Sequence, residues 1–240
     1  MRVDAHAPPV DYRPAPRGRH REGDGKVTSE NTTITAGGLA RPSSVMKKGR
    51  VPCVLVVMGV SGCGKSTFAR MLSERLECPL VEGDDLHPAA NIAKMASGTP
   101  LTDADRQPWL EQIGRQVAQW VDARQKGVVT CSSLKHAYRT AISARHELVC
   151  FVYLKGSREG IGARLRERTG HFMPASMLDS QFATLEEPRD DEVVLELDAS
   201  ATCEELLDAA CAALRALEKE AGAGEGTVVV DCVPAGRAPD

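Results

Sequence analysis

A stretch of nine residues constrains the fold of this chain more than any other feature of the sequence. Residues 59–67 read Gly-Val-Ser-Gly-Cys-Gly-Lys-Ser-Thr and match the pattern G-x-x-x-x-G-K-[ST]. The run before it, residues 51–58, is apolar and rich in valine, as is typical of a buried parallel strand. In the run after it, apolar residues recur near helical spacing. The stretch therefore predicts a phosphate-binding loop between a strand and a helix, rather than a plain glycine turn.

The residues of this loop have the chemistry that nucleotide phosphates require. Its glycines allow backbone N–H groups to turn inward, and the helix that follows adds the positive end of its dipole. We expect Lys65 to reach the β- and γ-phosphates of ATP and the Ser66 hydroxyl to ligate Mg²⁺. The candidate nucleotide-binding residues of the loop are Gly59, Ser61, Gly62, Cys63, Gly64, Lys65, Ser66 and Thr67.

Composition limits the class of protein further. The chain has 240 residues, of which 42% are hydrophobic and 26% charged, values that favour one domain with a real core over a membrane or disordered protein. No apolar run approaches the ~18 residues of a transmembrane helix, and the N-terminus lacks the apolar core of a secretory signal. The net charge of −3 gives no indication of a nucleic-acid or membrane partner.

The eight cysteines favour a reducing compartment. No pair has C-x-x-C spacing, which argues against a zinc site, and several lie in apolar runs. We therefore expect a cytoplasmic protein. Cys63 lies inside the glycine loop, where it is either a tolerated small residue or a reactive thiol that silences the site on oxidation.

Two changes in composition suggest the domain boundaries. Residues 1–48 are rich in Pro, Gly, Arg and Ser without a periodic apolar face, so we expect a disordered N-terminal tail. Residues 49–220 form the predicted catalytic domain, and residues 221–240 a flexible C-terminal extension. Met46 stands just before the predicted domain and is an alternative start of translation that the sequence leaves open.

Strands and helices alternate along the predicted domain. Five strands are predicted, at residues 51–58, 79–82, 128–131, 148–154 and 192–197. This alternation is typical of an α/β protein in which helices cover both faces of a parallel sheet, so we predict a three-layer α/β/α fold with a five-stranded parallel sheet. Gly170 and Pro174 follow a helix that ends in arginines, and this pattern indicates a hinge beside a helical lid.

Several polar residues follow the predicted strands at the sheet edge where ligands bind. Asp84 follows the second strand and is either a general base for an attacking hydroxyl, with His87 as a hydroxyl contact, or a helix cap. Lys135 and Arg139 share a helix face, where they either grip an anionic substrate or are solvated. Arg164 and Arg168, also four apart, are either cationic clamps on the transferred phosphoryl group or another solvated face.

Longer motifs make a family resemblance specific. They are the loop at 59–66, Gly-Asp-Asp-Leu-His-Pro at 83–88, Asn-Ile-Ala-Lys-Met at 91–95, Gly-Thr-Pro-Leu-Thr-Asp-Ala-Asp-Arg-Gln-Pro-Trp-Leu at 98–110, Cys-Ser-Ser-Leu-Lys at 131–135 with Tyr138 and Arg139, Tyr-Leu-Lys-Gly at 153–156, Gly-His-Phe-Met at 170–173 and Gln-Phe-Ala-Thr-Leu-Glu-Glu-Pro at 181–188. With these motifs the chain resembles the gluconokinases, in the shikimate-kinase-like branch of the P-loop kinases. The resemblance covers roughly residues 54–217.

The resemblance implies an activity and a set of site residues. It implies ATP-dependent phosphorylation of D-gluconate to 6-phospho-D-gluconate with Mg²⁺, usually in a homodimer, and thus entry of gluconate into the pentose phosphate pathway. It implies that Asp84 receives the proton of the 6-hydroxyl and that Arg164 and Arg168 belong to the lid, so Lys65, Asp84 and Arg168 are the candidate catalytic residues. The residues implied around the sugar acid are His87, Arg106, Lys135, Arg139, His171 and Gln181. Arg106 has a structural alternative, a pair with Asp103 or Asp105.

The departures from the family pattern lie outside the matched motifs. They are the two terminal extensions and Asp85, a second carboxylate beside Asp84. Three rival functions remain: a kinase of this branch that acts on shikimate or a nucleoside monophosphate, a non-catalytic ATP-binding regulator, and an RNA-modifying P-loop protein. The third would favour a basic stripe, which the net charge does not support.

Overall fold

A six-stranded sheet with helices on both faces forms the body of the protein in a computed structural model. The structure describes residues 38–43, 51–167 and 175–221. The strands are β1 (Ala40–Pro42), β2 (Val54–Met58), β3 (Leu80–Glu82), β4 (Gly127–Thr130), β5 (Val149–Lys155) and β6 (Val194–Asp198).

Helices connect the strands as the alternation in the sequence predicts. They are α1 (Lys65–Arg75), α2 (Ala89–Ala96), α3 (Asp103–Asp122), α4 (His136–Ser143), α5 (Arg158–Glu167), α6 (Ala175–Thr184) and α7 (Cys203–Ala221). A short 3₁₀ helix, Gly83–Leu86, follows β3 directly.

The strand order places the phosphate-binding loop at the centre of the sheet. The order is β1-β6-β5-β2-β4-β3, and the five strands from β6 to β3 are parallel. The strand before the loop, β2, therefore lies between β5 and β4. Because the carboxyl ends of parallel strands meet at one edge, the loop after β2 lies near the segments that follow β3 and β4.

The predicted strand count was wrong by one. β1 pairs antiparallel with β6, in the register Ala40 with Leu197 and Pro42 with Leu195. It comes from a segment that the composition assigned to the disordered tail, since three residues without an apolar pattern give little signal of a strand. Residues 1–37, 44–50 and 222–240 lie outside the described residues, so the rest of the tail predictions remains untested.

Two apolar clusters, one on each face of the sheet, explain the three layers. Successive residues of β2 contribute to opposite clusters, Leu55 and Val57 to one and Val56 and Met58 to the other, because side chains along a strand alternate between its faces. Helices α1 and α7 pack on the first cluster, and α3 and α4 on the second. β2 is buried along its whole length, which accounts for its continuous apolar sequence.

Two helices begin where the patterns Thr-x-x-Asp at 102–105 and Thr-x-x-Glu at 202–205 predict a capped helix start. Thr102 and Asp105 form a reciprocal capping box at the start of α3, with the Thr102 amide 2.6 Å from the Asp105 carboxylate. Thr202 and Glu205 bond reciprocally in the same way at the start of α7. None of the helices in the described ranges has the length and apolar character that crossing a membrane requires.

Candidate functional site

The phosphate-binding loop has the geometry that its glycines predict. Gly59, Gly62 and Gly64 have φ values of 136°, 84° and 101°, in the left-handed region that residues with a Cβ rarely adopt. Gly64 precedes the first residue of α1, and no side chain caps that helix. The N–H groups of its first turn are therefore left for an anion.

Lys65 lies folded against the loop. Its Nζ donates to the carbonyl oxygens of Gly59 and Val60, at 3.1 and 3.0 Å. The ammonium group thus stays beside the loop, where bound phosphate oxygens would compete for it.

A cavity of about 450 Å³ opens beside the loop. Its lining includes Gly62, Gly64 and Thr67 from the loop and α1, and Arg164 from α5. Residues 200–203, which run from the end of β6 to the first residue of α7, also line it. The volume suits a nucleoside, so the predicted nucleotide residues Thr67 and Arg164 share one cavity with the loop. The sequence indicated residues 200–203 only as a helix start.

Ser66 faces a carboxylate that the sequence analysis missed. Its Oγ donates to Glu82 Oε2 at 3.1 Å, and Glu82 is the last residue of β3. A hydroxyl and a carboxylate are oxygen ligands of the kind that Mg²⁺ prefers, with water and phosphate oxygens completing its octahedron. The pair therefore fits a magnesium ion at the loop. The described ranges contain no group of three or more His, Cys, Asp or Glu residues that could hold a metal by themselves.

Asp84 lies on the 3₁₀ helix that follows β3, and its side chain is exposed. Pro88, not Asp84, occupies the cap position of α2, where no side-chain cap bond forms. The capping alternative is therefore wrong for α2. The described part of the chain places no hydrogen-bonding partner on the Asp84 carboxylate, which suits a group that must accept a proton from a ligand.

His87 is held next to Asp84 by an aromatic stack. Its ring lies 4.2 Å from the Trp109 ring, with an interplanar angle of 16°. Burial lowers the pKa of His87, the charge of Arg106 lowers it further, and Asp84 opposes both. The imidazole is therefore neutral at neutral pH and offers one donor and one acceptor.

Asp103 lies close to two of the predicted cationic residues, Lys135 and Arg106. Its carboxylate accepts from Lys135 Nζ at 2.7 and 2.9 Å and from the Tyr138 hydroxyl at 2.5 Å, and it lies 3.9 Å from Arg106 Nη1. These contacts hold the pKa of Asp103 below its ordinary value and raise that of Lys135. Arg106 Nη1 also donates to the Leu101 carbonyl at 2.6 Å. The structural alternative for Arg106, a pair with Asp103, is thus present.

Arg139 does not face the site. Its side chain is fully buried, and its Nε and Nη2 donate to the two carboxylate oxygens of Glu192 at 2.7 and 3.0 Å. Its Nη1 donates to the carbonyl oxygens of Ser133 and Glu186, both at 3.0 Å. Neither the substrate role nor the solvated alternative fits these contacts. The prediction that Lys135 and Arg139 share a helix face was wrong, because α4 begins after Lys135.

Gln181 lies against the phosphate-binding loop. Its Oε1 accepts from the Ser61 amide at 2.7 Å, which joins α6 to the tip of the loop. This contact places Gln181 on the nucleotide side of the site, whereas the resemblance implied a place around the sugar acid.

Cys63 packs inside the loop. Its side chain is 2% exposed, and burial raises its pKa despite the charge of Lys65. A buried, protonated thiol is a poor nucleophile, so the structure favours a small core residue over a redox-reactive one. The other two predicted residues, Arg168 and His171, lie outside the described residues.

The arrangement defines a class of protein: a P-loop kinase, with a nucleotide cavity on one side of the loop and an exposed carboxylate on the other. The family model described as "AAA domain" matches residues 54–188. The chain belongs to the gluconokinase family.

Three similar proteins support that assignment. The gluconokinase of Gluconobacter oxydans (strain 621H) is 50% identical over 61% of this chain and 83% of its own length. The thermosensitive gluconokinase of Escherichia coli (strain K12) is 44% identical over 57% and 73%. The crystal structure of a gluconokinase from Sinorhizobium meliloti 1021 has 43% sequence identity and a TM-score of 0.65, over 71% of this chain and 95% of that one.

Proposed function

We propose that this protein transfers the γ-phosphoryl group of ATP to the 6-hydroxyl of D-gluconate. The observation that carries this proposal is the exposed Asp84 carboxylate beside the Ser66–Glu82 pair at the phosphate-binding loop. Its relatives named gluconokinase support the same acceptor.

The loop and the adjacent cavity bind ATP. The free N–H groups at the start of α1 and the Lys65 ammonium hold the phosphates. Arg164 lines the cavity that takes the nucleoside, and Arg168 adds a second cation to the transferred group, as the resemblance implies.

Ser66 and Glu82 would hold the magnesium ion, directly or through water. When bound, it offsets negative charge on the β- and γ-phosphates. Glu82 Oε2 also accepts from Thr130 Oγ1 at 2.6 Å, which keeps the carboxylate turned toward Ser66.

Asp84 accepts the proton of the attacking hydroxyl, and polar side chains around it orient the sugar acid. The neutral His87 imidazole bonds a hydroxyl group. Arg106 is our candidate for the substrate carboxylate, because Asp103 engages the Lys135 ammonium at 2.7 Å but lies 3.9 Å from Arg106 Nη1. Lys135 then acts near the hydroxyls, and we retain His171 as a further contact on the resemblance alone.

We also propose the cellular setting that the resemblance implies: a cytoplasmic homodimer that delivers gluconate to the pentose phosphate pathway, without nucleic-acid or membrane partners. The catalytic domain of this proposal is residues 49–220 together with β1. Light scattering coupled to size exclusion tests the dimer, since a mass near 25.7 kDa, that of one chain, would contradict it.

A panel of acceptors with detection of ADP tests the activity. We expect turnover with D-gluconate well above the ATPase background, and only background with shikimate or nucleoside monophosphates. Preferred turnover of another acceptor would place the protein elsewhere in the kinase branch. Nucleotide binding without turnover of any acceptor would favour a regulator.

A further inference from the structure

Side chains bind both backbone polar groups of Gly83, the residue just before Asp84. The Gly83 N–H donates to Thr130 Oγ1 at 3.1 Å, and the Gly83 carbonyl accepts from Trp109 Nε1 at 2.6 Å. The pairing of β3 with β4 ends one residue earlier, at Glu82 and Thr130. Two side chains therefore replace the sheet ladder at the residue where the chain turns toward the site.

The Thr130 hydroxyl connects the Gly83 amide to the proposed magnesium site. It donates to Glu82 Oε2 at 2.6 Å while it accepts from the Gly83 amide. The same Glu82 oxygen accepts from Ser66 at 3.1 Å. Thr130 is 4% exposed, so water does not readily replace either bond.

Trp109 connects the Gly83 carbonyl to the side of the site where we place the phosphoryl acceptor. Its indole N–H bonds the Gly83 carbonyl, and its ring stacks on His87. Trp109 is 3% exposed and packs in the cluster between the sheet and α3. One rigid side chain thus fixes the peptide before Asp84 and the imidazole after it.

The position of Gly83 leaves no room for a side chain. A Cβ at this residue would collide with the Thr130 carbonyl oxygen, so only glycine brings the peptide this close to β4. A shift of Gly83 would move Asp84, which follows it directly, and would break the bond from the Gly83 amide to the hydroxyl that orients Glu82.

We propose that Thr130 is a positioning residue for phosphoryl transfer. Together with Trp109 it holds the backbone of Gly83, and it thereby fixes the Glu82 carboxylate, which faces the metal, and the Asp84 carboxylate relative to each other. The inference rests on the proposed function, in which Glu82 faces the metal and Asp84 the acceptor. A shift of ~1 Å in a reacting group can lower turnover about 10²-fold, and loss of a group that orients a metal ligand costs about 10–100-fold in metal affinity or activity.

Two substitutions at Thr130 separate positioning from fold stability. Thr130→Val keeps the shape and removes the hydroxyl, whereas Thr130→Ser keeps the hydroxyl. We expect kcat to fall about 10- to 100-fold in Thr130→Val, with the KM for ATP within about threefold, and to recover in Thr130→Ser to within about threefold of the parent. Thr140→Val on α4 is the matched control, because it removes only a 3.5 Å contact to His136.

A binding measurement adds a readout that does not depend on turnover. The Mg²⁺ concentration that half-maximally tightens binding of a fluorescent ADP analogue should rise about tenfold in Thr130→Val and stay unchanged in Thr130→Ser. Normal kcat and normal Mg²⁺ dependence in folded Thr130→Val would overturn the proposal, even if its Tm is lower.

A second variant keeps the proposal testable if Thr130→Val does not fold. Trp109→Phe keeps a ring against His87 but removes the donor to the Gly83 carbonyl, and its kcat should fall about tenfold; an unchanged kcat in this variant would overturn the proposal. If the parent protein binds nucleotide but does not phosphorylate gluconate, the proposed function fails by itself. The Mg²⁺-dependent binding of ADP then still decides the role of Thr130.

Discussion

The neighbouring carboxylates Asp84 and Asp85 differ only in their place on the 3₁₀ helix, and both are exposed. Gly83, the residue before Asp84, has its backbone N–H bonded to the side chain of Thr130 and its carbonyl bonded to the side chain of Trp109. At the scale of a single residue, the backbone that carries a side chain therefore distinguishes a candidate base from an ordinary surface acid.

Asp84→Asn should leave ATP binding nearly intact and lower kcat by about 10²–10⁴-fold, because the amide cannot accept the proton of the 6-hydroxyl. Steady-state kinetics with gluconate and direct titration with ATP measure the two effects. Asp85→Asn makes the same change of charge one residue away and should stay near the parent activity. Near-normal turnover of Asp84→Asn would remove Asp84 from the chemistry.

Gln181→Met removes the acceptor for the Ser61 amide without changing the charge. Loss of one such hydrogen bond costs about 1 kcal/mol, so the KM for ATP should rise about fivefold while the KM for gluconate stays unchanged. Gln107→Met, which breaks an exposed bond to Glu111, serves as the control. A raised KM for gluconate alone would instead support the role beside the sugar acid that the resemblance implies.

At the scale of an element, the start of α4 is held by a buried ion pair. Arg139 on α4 bonds both carboxylate oxygens of Glu192, which precedes β6. The same guanidinium bonds the carbonyls of Ser133 and Glu186, in the segments after β4 and α6. Lys135, the residue before α4, depends on this anchor for its position near Asp103.

Arg139→Met should lower the free energy of unfolding by about 3 kcal/mol, because it removes the guanidinium partner of the mostly buried Glu192 carboxylate, to which the Arg189 amide still donates. Urea denaturation measures the change, and Arg145→Met, at an exposed position just after α4, is the control. The KM for gluconate should stay near normal in the folded fraction. A large rise in that KM with normal stability would restore Arg139 to the substrate site.

The same ion pair predicts an acid-sensitive stability. Burial tends to raise the pKa of Glu192, but the hydrogen bonds and charge of Arg139, together with bonds from the Arg189 amide and His136, outweigh it, and the folded pKa lies below the ordinary value of 4.5. A depressed carboxyl pKa adds stability above about pH 4.5 that is lost as the pH falls through the folded pKa. Glu192→Gln should therefore flatten the decline in the free energy of unfolding below pH 4.5. An equally steep decline would show that other carboxylates dominate it.

At the scale of the whole molecule, β1 closes one edge of the sheet. It bonds along β6, and the Ser43 amide donates to the Val194 carbonyl at 2.8 Å beyond the last pair of the strand. Leu39 and Ala40 pack against the apolar cluster on the α7 face. Without β1, the backbone of β6 would be an open edge, which favours pairing with other chains.

Two truncations isolate the contribution of this strand. A chain that begins at Gly38 keeps β1, whereas one that begins at Ser44 lacks it, and a chain translated from Met46 would lack it too. We expect the shorter form to lose about 2 kcal/mol of stability, since each backbone hydrogen bond contributes about 0.5–1.5 kcal/mol, and to aggregate more readily. Thermal denaturation and light scattering measure these effects. Equal Tm values would show that β1 is dispensable.

The sequence by itself determined the features that depend on local pattern. The glycine loop, the alternation of apolar strands with helices and the capping pairs at Thr102 and Thr202 are properties of short stretches, and the structure places each where the pattern predicts it. The resemblance added the acceptor side, because long motifs such as residues 98–110 specify a family.

Only the tertiary structure decided which charged groups are free to act. Glu82, at the end of β3, accepts a hydrogen bond from Ser66 on α1. Asp103 pairs with Lys135, 32 positions later in the sequence, and Arg139 pairs with Glu192, 53 positions later. Such pairings depend on how the sheet brings distant segments together, and a short pattern carries no record of them. The strand β1 belongs with these pairings, because three residues without periodicity form a strand only where the edge of β6 offers them partners.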